Sequence, residues 1–151
     1  MVLDEQGMQD YGRRLGRLLG PGSILALIGD LGVGKTFLTA AVAEGLGVTE
    51  PVISPTFTII REYESGRIPL YHFDVYRIDD PGEMDALGCD EYFYGGGLTV
   101  VEWADKIAES LPPQTIVVEI GYGEKETERI VRGPRLDACK ERDARARKDR
   151  G

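Results

Sequence analysis

Residues 29–36, with the sequence GDLGVGKT, fit the pattern G-x-x-x-x-G-K-[ST]. Glycines in such a loop let successive backbone N–H groups point toward one anion at the positive end of the following helix. The lysine then reaches the β- and γ-phosphates of a nucleotide, and the threonine hydroxyl ligates Mg²⁺. The spacing therefore predicts a phosphate-binding loop, and a glycine-rich turn with an exposed lysine is the alternative. The residues predicted to bind the nucleotide here are Gly29, Leu31, Gly32, Val33, Gly34, Lys35, Thr36 and Phe37.

The choice between adenine and guanine nucleotides follows from an absence in the sequence. Guanine-specific switches usually carry an Asn-Lys-x-Asp segment, and the 151 residues contain no asparagine. The sequence therefore favours ATP over GTP, and ATP and Mg²⁺ are the expected cofactors.

Two carboxylates occupy positions where a charge needs a partner or a function. Glu102 follows the strand-like run LTVV of residues 98–101, and open α/β sheets bind ligands at the carboxyl ends of their strands. Mg²⁺ takes one or two protein carboxylates besides phosphates and water, so we expect Glu102 to bind it together with Thr36. Asp74, in YHFDVYR, is expected to contact metal, water or the γ-phosphate, with an ion pair to Arg77 as the alternative. Both carboxylates are candidate catalytic residues, since either Glu102 through the metal or Asp74 directly would orient a water toward the γ-phosphate.

A single histidine lies close to Asp74. Alternation along residues 68–77 places His72, Asp74 and Tyr76 on one face of a predicted strand, while the opposite face is apolar. A lone histidine often has a purely structural role. Both a structural and a supporting catalytic role therefore stay open for His72.

The elements that position these residues are indicated by periodicity and turn residues. Residues 23–28 form a short apolar run, typical of a buried strand, and residues 34–46 return to helical spacing. The loop thus lies between a strand and a helix, as its chemistry requires. Residues 56–63 and 68–77 flank Glu64-Ser65-Gly66-Arg67, which predicts an antiparallel hairpin.

Further elements complete an α/β pattern. An amphipathic helix is predicted over residues 4–20, and a short helix follows Pro81 through residue 87. Residues 98–101 and 115–120 read as buried strands, and residues 129–132 are a candidate for one more. We detect no internal repeat.

Length and charge set limits on domain number and binding partners. The chain is most economically one domain, residues 1–137, and is large enough to fold without a disulfide or structural metal. Its net charge of −8 argues against avid, non-specific binding of nucleic acid. Residues 138–151 carry six Lys or Arg against three Asp or Glu. This tail is predicted to be flexible, either simply solvated or a basic arm for RNA or an acidic partner.

The cellular compartment is predicted from cysteine use and from the chain start. Cys89 and Cys139 have no metal-binding or redox spacing, so we interpret them as incidental thiols of a reducing cytoplasm. The start MVLDEQGMQD is unlike a signal peptide, and no apolar run is long enough to cross a membrane. A cytoplasmic protein is expected.

Several segments occur in the same order as in a known family. They are GDLGVGKT, SPTFT (54–58), YHFDVYR (71–77), DPGEMDALGCDEYF (80–93) and VEW (101–103). Together they resemble the TsaE family, formerly YjeE, of small bacterial P-loop ATPases. The resemblance implies a P-loop NTPase three-layer α/β sandwich, with a mixed sheet that contains an antiparallel hairpin.

The resemblance also implies roles for individual residues. Thr36 and Glu102 would ligate Mg²⁺, and Asp74 would act in hydrolysis. Arg129 is a further candidate for a nucleotide contact. The residues implied to form a switch-like loop near the γ-phosphate, or to support the site, are Ser54, Pro55, Thr56, His72, Tyr76, Arg77 and Trp103.

The family acts as the ATPase partner in forming N6-threonylcarbamoyladenosine beside the anticodon of tRNAs that read ANN codons. The resemblance therefore implies a complex with the TsaD and TsaB proteins, which with TsaC make and transfer the threonylcarbamoyl group. It implies contact with tRNA through that complex, no membrane, and slow hydrolysis that partners accelerate. Two other functions are considered: a small-molecule P-loop kinase, although no arginine-rich lid insertion is present, and a nucleotide-regulated binding module with little hydrolysis.

Overall fold

The computed structural model of the protein describes residues 1–56, 58–80 and 82–136. The strands are Val2–Leu3 (β1), Ile24–Ile28 (β2), Ile60–Tyr63 (β3), Leu70–Asp74 (β4), Leu98–Glu102 (β5), Ile116–Tyr122 (β6) and Arg129–Arg132 (β7). The helices are Glu5–Leu18 (α1), Lys35–Leu46 (α2), Glu83–Ala86 (α3) and Cys89–Phe93 (α4), and a 3₁₀ segment covers Ala104–Ser110. Within the described residues the strands form one sheet in the order β1-β7-β6-β2-β5-β4-β3.

The centre of this sheet is parallel. β2 lies between β5 and β6 and runs parallel to both, and β4 runs parallel to β5. The register places Asp74 of β4 and Leu27 of β2 on either side of Glu102 in β5. The carboxyl ends of these strands therefore meet at one edge, where open α/β sheets bind ligands.

Antiparallel strands flank this parallel centre. β3 pairs with β4 from Ile60 opposite Phe73 to Tyr63 opposite Leu70, which confirms the predicted hairpin. On the other side β7 pairs antiparallel with β6, and β1 pairs antiparallel with β7. The predicted fold class, an α/β fold with a mixed sheet containing an antiparallel hairpin, is confirmed.

α1 and α2 pack together on one face of the sheet. Two glycines allow this close approach, because a Cβ on Gly16 would lie 2.1 Å from the carbonyl oxygen of Val42. A Cβ on Gly45 would lie 2.1 Å from the carbonyl oxygen of Arg13. Buried apolar side chains of this layer include Leu15, Leu25, Leu27, Leu38, Val42, Leu70, Val100 and Val118.

The opposite face of the sheet is covered by α3, α4 and the 3₁₀ segment. Successive side chains of β2 point to opposite faces, so Ile24 and Ala26 belong to this second layer. They pack in a cluster with Phe73, Met84, Phe93, Val101 and Ile107. The protein is therefore a three-layer sandwich, as predicted.

Both long helices are confirmed, with slightly different ends. The helix predicted over residues 4–20 is α1, and Asp4 caps it by accepting a hydrogen bond from the Gly7 N–H at 2.7 Å. The helix predicted over residues 34–46 is α2, which ends at Leu46 and is followed by Gly47 in a left-handed conformation.

The hairpin strands are shorter than predicted. The N–H groups of Thr58 and Ile59 donate to the carbonyl oxygen of Pro55, at 3.1 and 2.6 Å, so this stretch turns and β3 begins only at Ile60. β4 ends at Asp74, because the N–H of Ile78 closes a turn onto Val75 at 3.1 Å.

Three short elements were not predicted: β1, α4 and the 3₁₀ segment. They have few residues, and β1 depends on pairing with β7 at the far end of the described chain.

Pro81 and the predicted tail, residues 138–151, lie outside the described residues, so the predicted domain boundary stays a prediction. Cys89 is a buried free thiol. No helix within the described residues is long and apolar enough to cross a bilayer.

Candidate functional site

The glycine-rich loop, residues 29–36, connects β2 to α2. Gly32 and Gly34 have φ angles of +78° and +113°, which side chains other than glycine rarely adopt. Gly29 is required for space, because a Cβ there would lie 2.5 Å from the carbonyl oxygen of Ile120. Gly34 precedes α2 without a side-chain cap, so the first N–H groups of the helix stay open to an anion.

Lys35 is the first residue of α2 and is only 5% exposed. Its Nζ donates to the carbonyl oxygens of Gly29 and, at 2.9 Å, of Asp30. The same atom lies 3.8 Å from the centroid of a Trp103 ring. Burial lowers the pKa of the ammonium, and nearby carboxylates, Glu102 foremost, oppose that shift. The partners of the Lys35 ammonium are thus two carbonyl oxygens and one aromatic face, one for each of its three N–H bonds.

Thr36 and His72 hold the carboxylate of Glu102 from two sides. The Thr36 hydroxyl donates to Glu102, with Oγ1 at 2.9 Å from Oε1 and 3.2 Å from Oε2. Nε2 of His72 is hydrogen-bonded to Oε2. Glu102 is 2% exposed and His72 is fully buried. This buried carboxylate thus links α2 to β4.

Asp74 is the second buried carboxylate, and it contacts the predicted switch-like loop. Its Oδ2 accepts a hydrogen bond from the Thr56 hydroxyl at 3.0 Å, and its Oδ1 accepts one from the Tyr76 N–H at 3.0 Å. The Thr56 hydroxyl lies 2.7 Å from that of Ser54. Arg77, the alternative partner considered for Asp74, is solvent-exposed beyond the end of β4.

These side chains surround one cavity of about 310 Å³ at the carboxyl edge of the sheet. The predicted residues that line it are Leu31, Gly32, Gly34, Lys35, Thr36, Phe37, Ser54, Thr56, Asp74, Tyr76, Glu102 and Trp103. His72 lies behind Glu102, and the Val33 side chain is buried in the core below the loop. The fold therefore brings together residues that the sequence places on four separate segments.

An aromatic pair covers the Lys35 side of this cavity. The rings of Trp103 and Tyr76 have centroids 4.8 Å apart, and Lys106 Nζ lies 5.0 Å from the Tyr76 ring. Trp103 has a φ of +62°, so the chain turns sharply after Glu102. Sequence reasoning missed Lys106, which no local pattern connects to the site.

A second cavity, of about 630 Å³, adjoins the first and shares Gly32, Gly34 and Phe37 with it. Arg129 lines this second cavity, together with residues from the start of α1 and the segment before β7. It is large enough for the base and ribose of a nucleotide.

Arg129 and Tyr122 support the glycine-rich loop from β7 and β6. Arg129 Nε donates to the carbonyl oxygen of Val33 at 2.9 Å, and its guanidinium lies 4.8 Å from the Tyr122 ring. The Tyr122 hydroxyl donates to the carbonyl oxygen of Leu31 at 2.9 Å. Tyr122 was not predicted, because its closeness to the loop depends on β6 lying beside β2.

The oxygen atoms around Thr36 fit Mg²⁺. Oxygens on adjacent corners of a magnesium octahedron, with bonds of ~2.1 Å, lie about 3 Å apart. Thr36 Oγ1 and Glu102 Oε1 are already 2.9 Å apart. Within the described residues, no group of three or more His, Cys, Asp or Glu could hold a metal ion by itself. The site suits a cation that takes most of its ligands from phosphates and water.

Comparisons with known proteins bear on the family and the fold of this chain. A family model described as "Threonylcarbamoyl adenosine biosynthesis protein TsaE" matches residues 2–131. The tRNA threonylcarbamoyladenosine biosynthesis protein TsaE of Bacillus subtilis (strain 168) is 56% identical over 100 residues, which span 66% of this chain and 62% of that relative. The protein of the same name from Nostoc sp. is 41% identical over 128 residues, 82% of this chain and 78% of that relative.

A solved structure gives the same result at the level of the fold. The crystal structure of YdiB from Bacillus subtilis matches with a TM-score of 0.77 and 36% sequence identity, over 97% of this chain and 95% of that chain. The family match extends from β1 into β7 and so contains the loop, both carboxylates and the aromatic pair. The resemblance inferred from the motifs is therefore confirmed, and the chain belongs to the TsaE family.

Proposed function

We propose that this protein is a Mg²⁺-dependent ATPase that acts in the formation of N6-threonylcarbamoyladenosine next to the tRNA anticodon. Family membership supports the role in tRNA threonylcarbamoyladenosine biosynthesis. One observation carries the proposed activity: Lys35, Thr36, Asp74 and Glu102 converge on a single cavity at the start of α2. A cation, a metal-binding pair of oxygens and a further carboxylate are the groups that phosphoryl transfer to water requires.

Nucleotide binding would require Lys35 to exchange partners. Its ammonium would leave the Trp103 ring, the weakest of its contacts, and donate to phosphate oxygens, to which loop and helix N–H groups also donate. The change is favourable because a phosphate oxygen carries more negative charge than the face of an aromatic ring.

Thr36 and Glu102 would hold Mg²⁺, which when bound would neutralise charge on the phosphate oxygens. Thr36 lies on the helix and Glu102 on the sheet, so the pair joins two rigid elements at the point of binding. Hydrolysis at such a site depends mainly on positioning and on charge stabilisation.

Asp74 would orient the attacking water. Both of its oxygens already accept a hydrogen bond, from Thr56 and from the Tyr76 N–H. A water molecule would therefore bind Asp74 through the remaining lone pairs of these oxygens, or it would displace the Thr56 hydroxyl. This arrangement supports slow turnover by the isolated protein, with acceleration when a partner moves the loop that contains Ser54 and Thr56.

The nucleoside part of ATP would occupy the adjoining cavity of about 630 Å³. Phe37 lies between the two cavities, and Arg129 lines the second one. We therefore keep Arg129 as a proposed nucleotide contact, in addition to its hydrogen bond with the loop.

Partners would be the TsaD and TsaB proteins, with TsaC supplying the activated threonylcarbamoyl group and tRNA bound through the complex. Exposed apolar side chains surround the mouth of the cavity: Leu31 is 77%, Tyr76 48% and Phe37 39% exposed. Such patches are typical of protein interaction sites. The net charge of −8 supports an indirect contact with tRNA.

The decisive experiment is reconstitution. The protein, Mg·ATP and TsaB–TsaD, supplied with the activated threonylcarbamoyl donor, should give repeated rounds of tRNA modification. Lys35→Ala should remove this activity, and Lys125→Ala, which changes an exposed lysine outside the loop, serves as the matched control. Wild-type reactions no faster than reactions without the protein would contradict the proposal.

A nucleotide-regulated binding module is the second candidate function. The observation that favours it is the engagement of both Asp74 oxygens by protein donors, which is a poor arrangement for rapid hydrolysis. In that case nucleotide binding alone would control docking to the partner complex.

A further inference from the structure

His72 is the only histidine in the sequence, and its imidazole is completely buried. One ring nitrogen, Nε2, is hydrogen-bonded to Oε2 of Glu102. The other, Nδ1, has no hydrogen-bond partner in the part of the chain that the structure describes. Core packing does not explain this residue, because a buried polar atom without a partner costs free energy that an apolar side chain avoids.

The hydrogen bond to Glu102 fixes the tautomer of the ring. A carboxylate only accepts hydrogen bonds, so Nε2 is the donor and carries the hydrogen. The register explains how the contact forms. His72 lies beside Val100 of the neighbouring strand β5, and Glu102 follows Val100 by two residues, on the same face of the sheet. The imidazole thus reaches diagonally along the sheet to the carboxylate.

The two contacts of Glu102 are not equivalent. Thr36 belongs to the phosphate-binding loop, and its hydroxyl would turn its lone pairs toward Mg²⁺ when the metal binds. His72 lies behind the carboxylate in the core and can keep its contact throughout. Of these two contacts, the one from His72 can therefore still fix the orientation of the Glu102 carboxylate when Thr36 binds the metal.

We propose that His72 is a positioning residue that holds Glu102 in the orientation needed to bind Mg²⁺. The proposal rests on the proposed function, since it assumes that Glu102 serves the metal. Residues that orient a metal ligand from behind typically change metal affinity by about 10- to 100-fold when they are replaced. The role is therefore measurable separately from nucleotide binding.

The test compares His72→Gln with His72→Asn. The amide nitrogen of Gln can reach the position of Nε2, whereas that of Asn, one methylene shorter, cannot. The dissociation constant of Mn²⁺, a paramagnetic substitute for Mg²⁺, is measured by electron paramagnetic resonance on the protein–ADP complex. ADP affinity in EDTA is measured in parallel by calorimetry.

His72→Asn should weaken Mn²⁺ binding at least about tenfold, His72→Gln should stay within about threefold of wild type, and ADP affinity in EDTA should be unchanged in both variants. Thr99→Val is the matched control, because Thr99 is a buried polar residue of β5 that makes no contact with Glu102. Equal Mn²⁺ affinity in His72→Gln, His72→Asn and wild type would overturn the inference, and so would equal losses of affinity in the two variants. A wild-type protein without metal-dependent ADP binding would instead overturn the proposed function.

A second measurement uses the wild-type protein and does not depend on how the variants fold. Because the chain has one histidine, its imidazole ¹⁵N and ¹H signals can be assigned without ambiguity. The hydrogen should be on Nε2, and its resonance should shift when Mg²⁺ is added to the ADP complex. A ring that carries its hydrogen on Nδ1 and none on Nε2, or a signal insensitive to Mg²⁺, would overturn the inference.

Discussion

The ammonium of Lys35 lies 3.8 Å from the centroid of a Trp103 ring, although the two residues belong to different elements of the fold. With its other donors on the carbonyl oxygens of Gly29 and Asp30, Lys35 is fully engaged before any phosphate arrives. Nucleotide binding must therefore break at least one of these contacts. The aromatic contact is the weakest of them and faces the cavity.

The first prediction concerns Trp103, the only tryptophan in the sequence. Adding Mg·ADP should change its fluorescence emission, because the ring loses its contact with the ammonium. Trp103→Leu should bind ADP about 2- to 30-fold more tightly, since a cation–π contact of ~0.5–2 kcal/mol no longer stabilises the nucleotide-free state. Calorimetry gives the affinity. Saturated binding without any change in emission would contradict this expectation.

The second prediction concerns the charge of Lys35. Lys35→Ala should weaken ATP binding by roughly tenfold to 150-fold, the equivalent of one charged hydrogen bond of ~1.5–3 kcal/mol. Calorimetry with a non-hydrolysable ATP analogue measures the loss directly. Lys125→Ala is the control, because Lys125 is an exposed lysine that contacts Glu128 and lies outside the glycine-rich loop. Unchanged affinity in Lys35→Ala would exclude the loop as the phosphate site.

The third prediction separates an ATPase from a binding module. Asp74→Ala should retain nucleotide binding within a few-fold but lose at least about 100-fold in turnover, because general-base and water-positioning groups contribute at that scale. Phosphate release and tRNA modification are measured in the same reconstituted system. Thr56→Val, which removes a donor to Asp74 but leaves the carboxylate, should be much milder. Intact tRNA modification by Asp74→Ala would favour the binding module.

The fourth prediction concerns the contact between α1 and α2. Gly45→Ala should lower the free energy of unfolding by about 1–3 kcal/mol or more, because its Cβ would lie 2.1 Å from a backbone oxygen of Arg13. Gly20→Ala is the matched control, since a Cβ there meets nothing within 4 Å. Urea denaturation measures both variants. Equal free energies of unfolding for Gly45→Ala and Gly20→Ala would contradict this prediction, because α1 and α2 would then move apart at little cost.

The fifth prediction concerns the reactivity of Cys89. Burial, with smaller contributions from Asp90 and Asp85, raises the pKa of its thiol from 9.0 to about 11. Only the thiolate reacts, so at pH 8 a Cys139→Ser variant should be alkylated at least ~100-fold more slowly when native than when unfolded.

The same pKa sets the pH dependence of this reaction. Because the folded-state pKa is raised, the native rate should keep rising about tenfold per pH unit above pH 9, where the rate of the unfolded chain levels off. Rapid native labelling at pH 8 would contradict the burial of this thiol.

Local sequence was sufficient to predict the elements whose signals are contained in neighbouring residues. The apolar run before Gly29, the glycine spacing and the helical spacing after Lys35 determine a strand, a loop and a helix within about 25 consecutive positions. The hairpin and the strand that ends at Glu102 were also predictable from local sequence, because their β-forming residues adjoin turn residues. The ordered motifs also identified the family.

The tertiary structure decided how those elements meet. Asp74 and Glu102 lie side by side because β4 runs parallel to β5, and no local pattern specifies that register. The hydrogen bond from Thr56 to Asp74 and the position of Trp103 over Lys35 likewise depend on packing between distant segments. The identity of the groups proposed to bind a nucleotide is thus encoded locally. Their distances and mutual contacts arise only from the packing of helices and strands that are far apart in sequence.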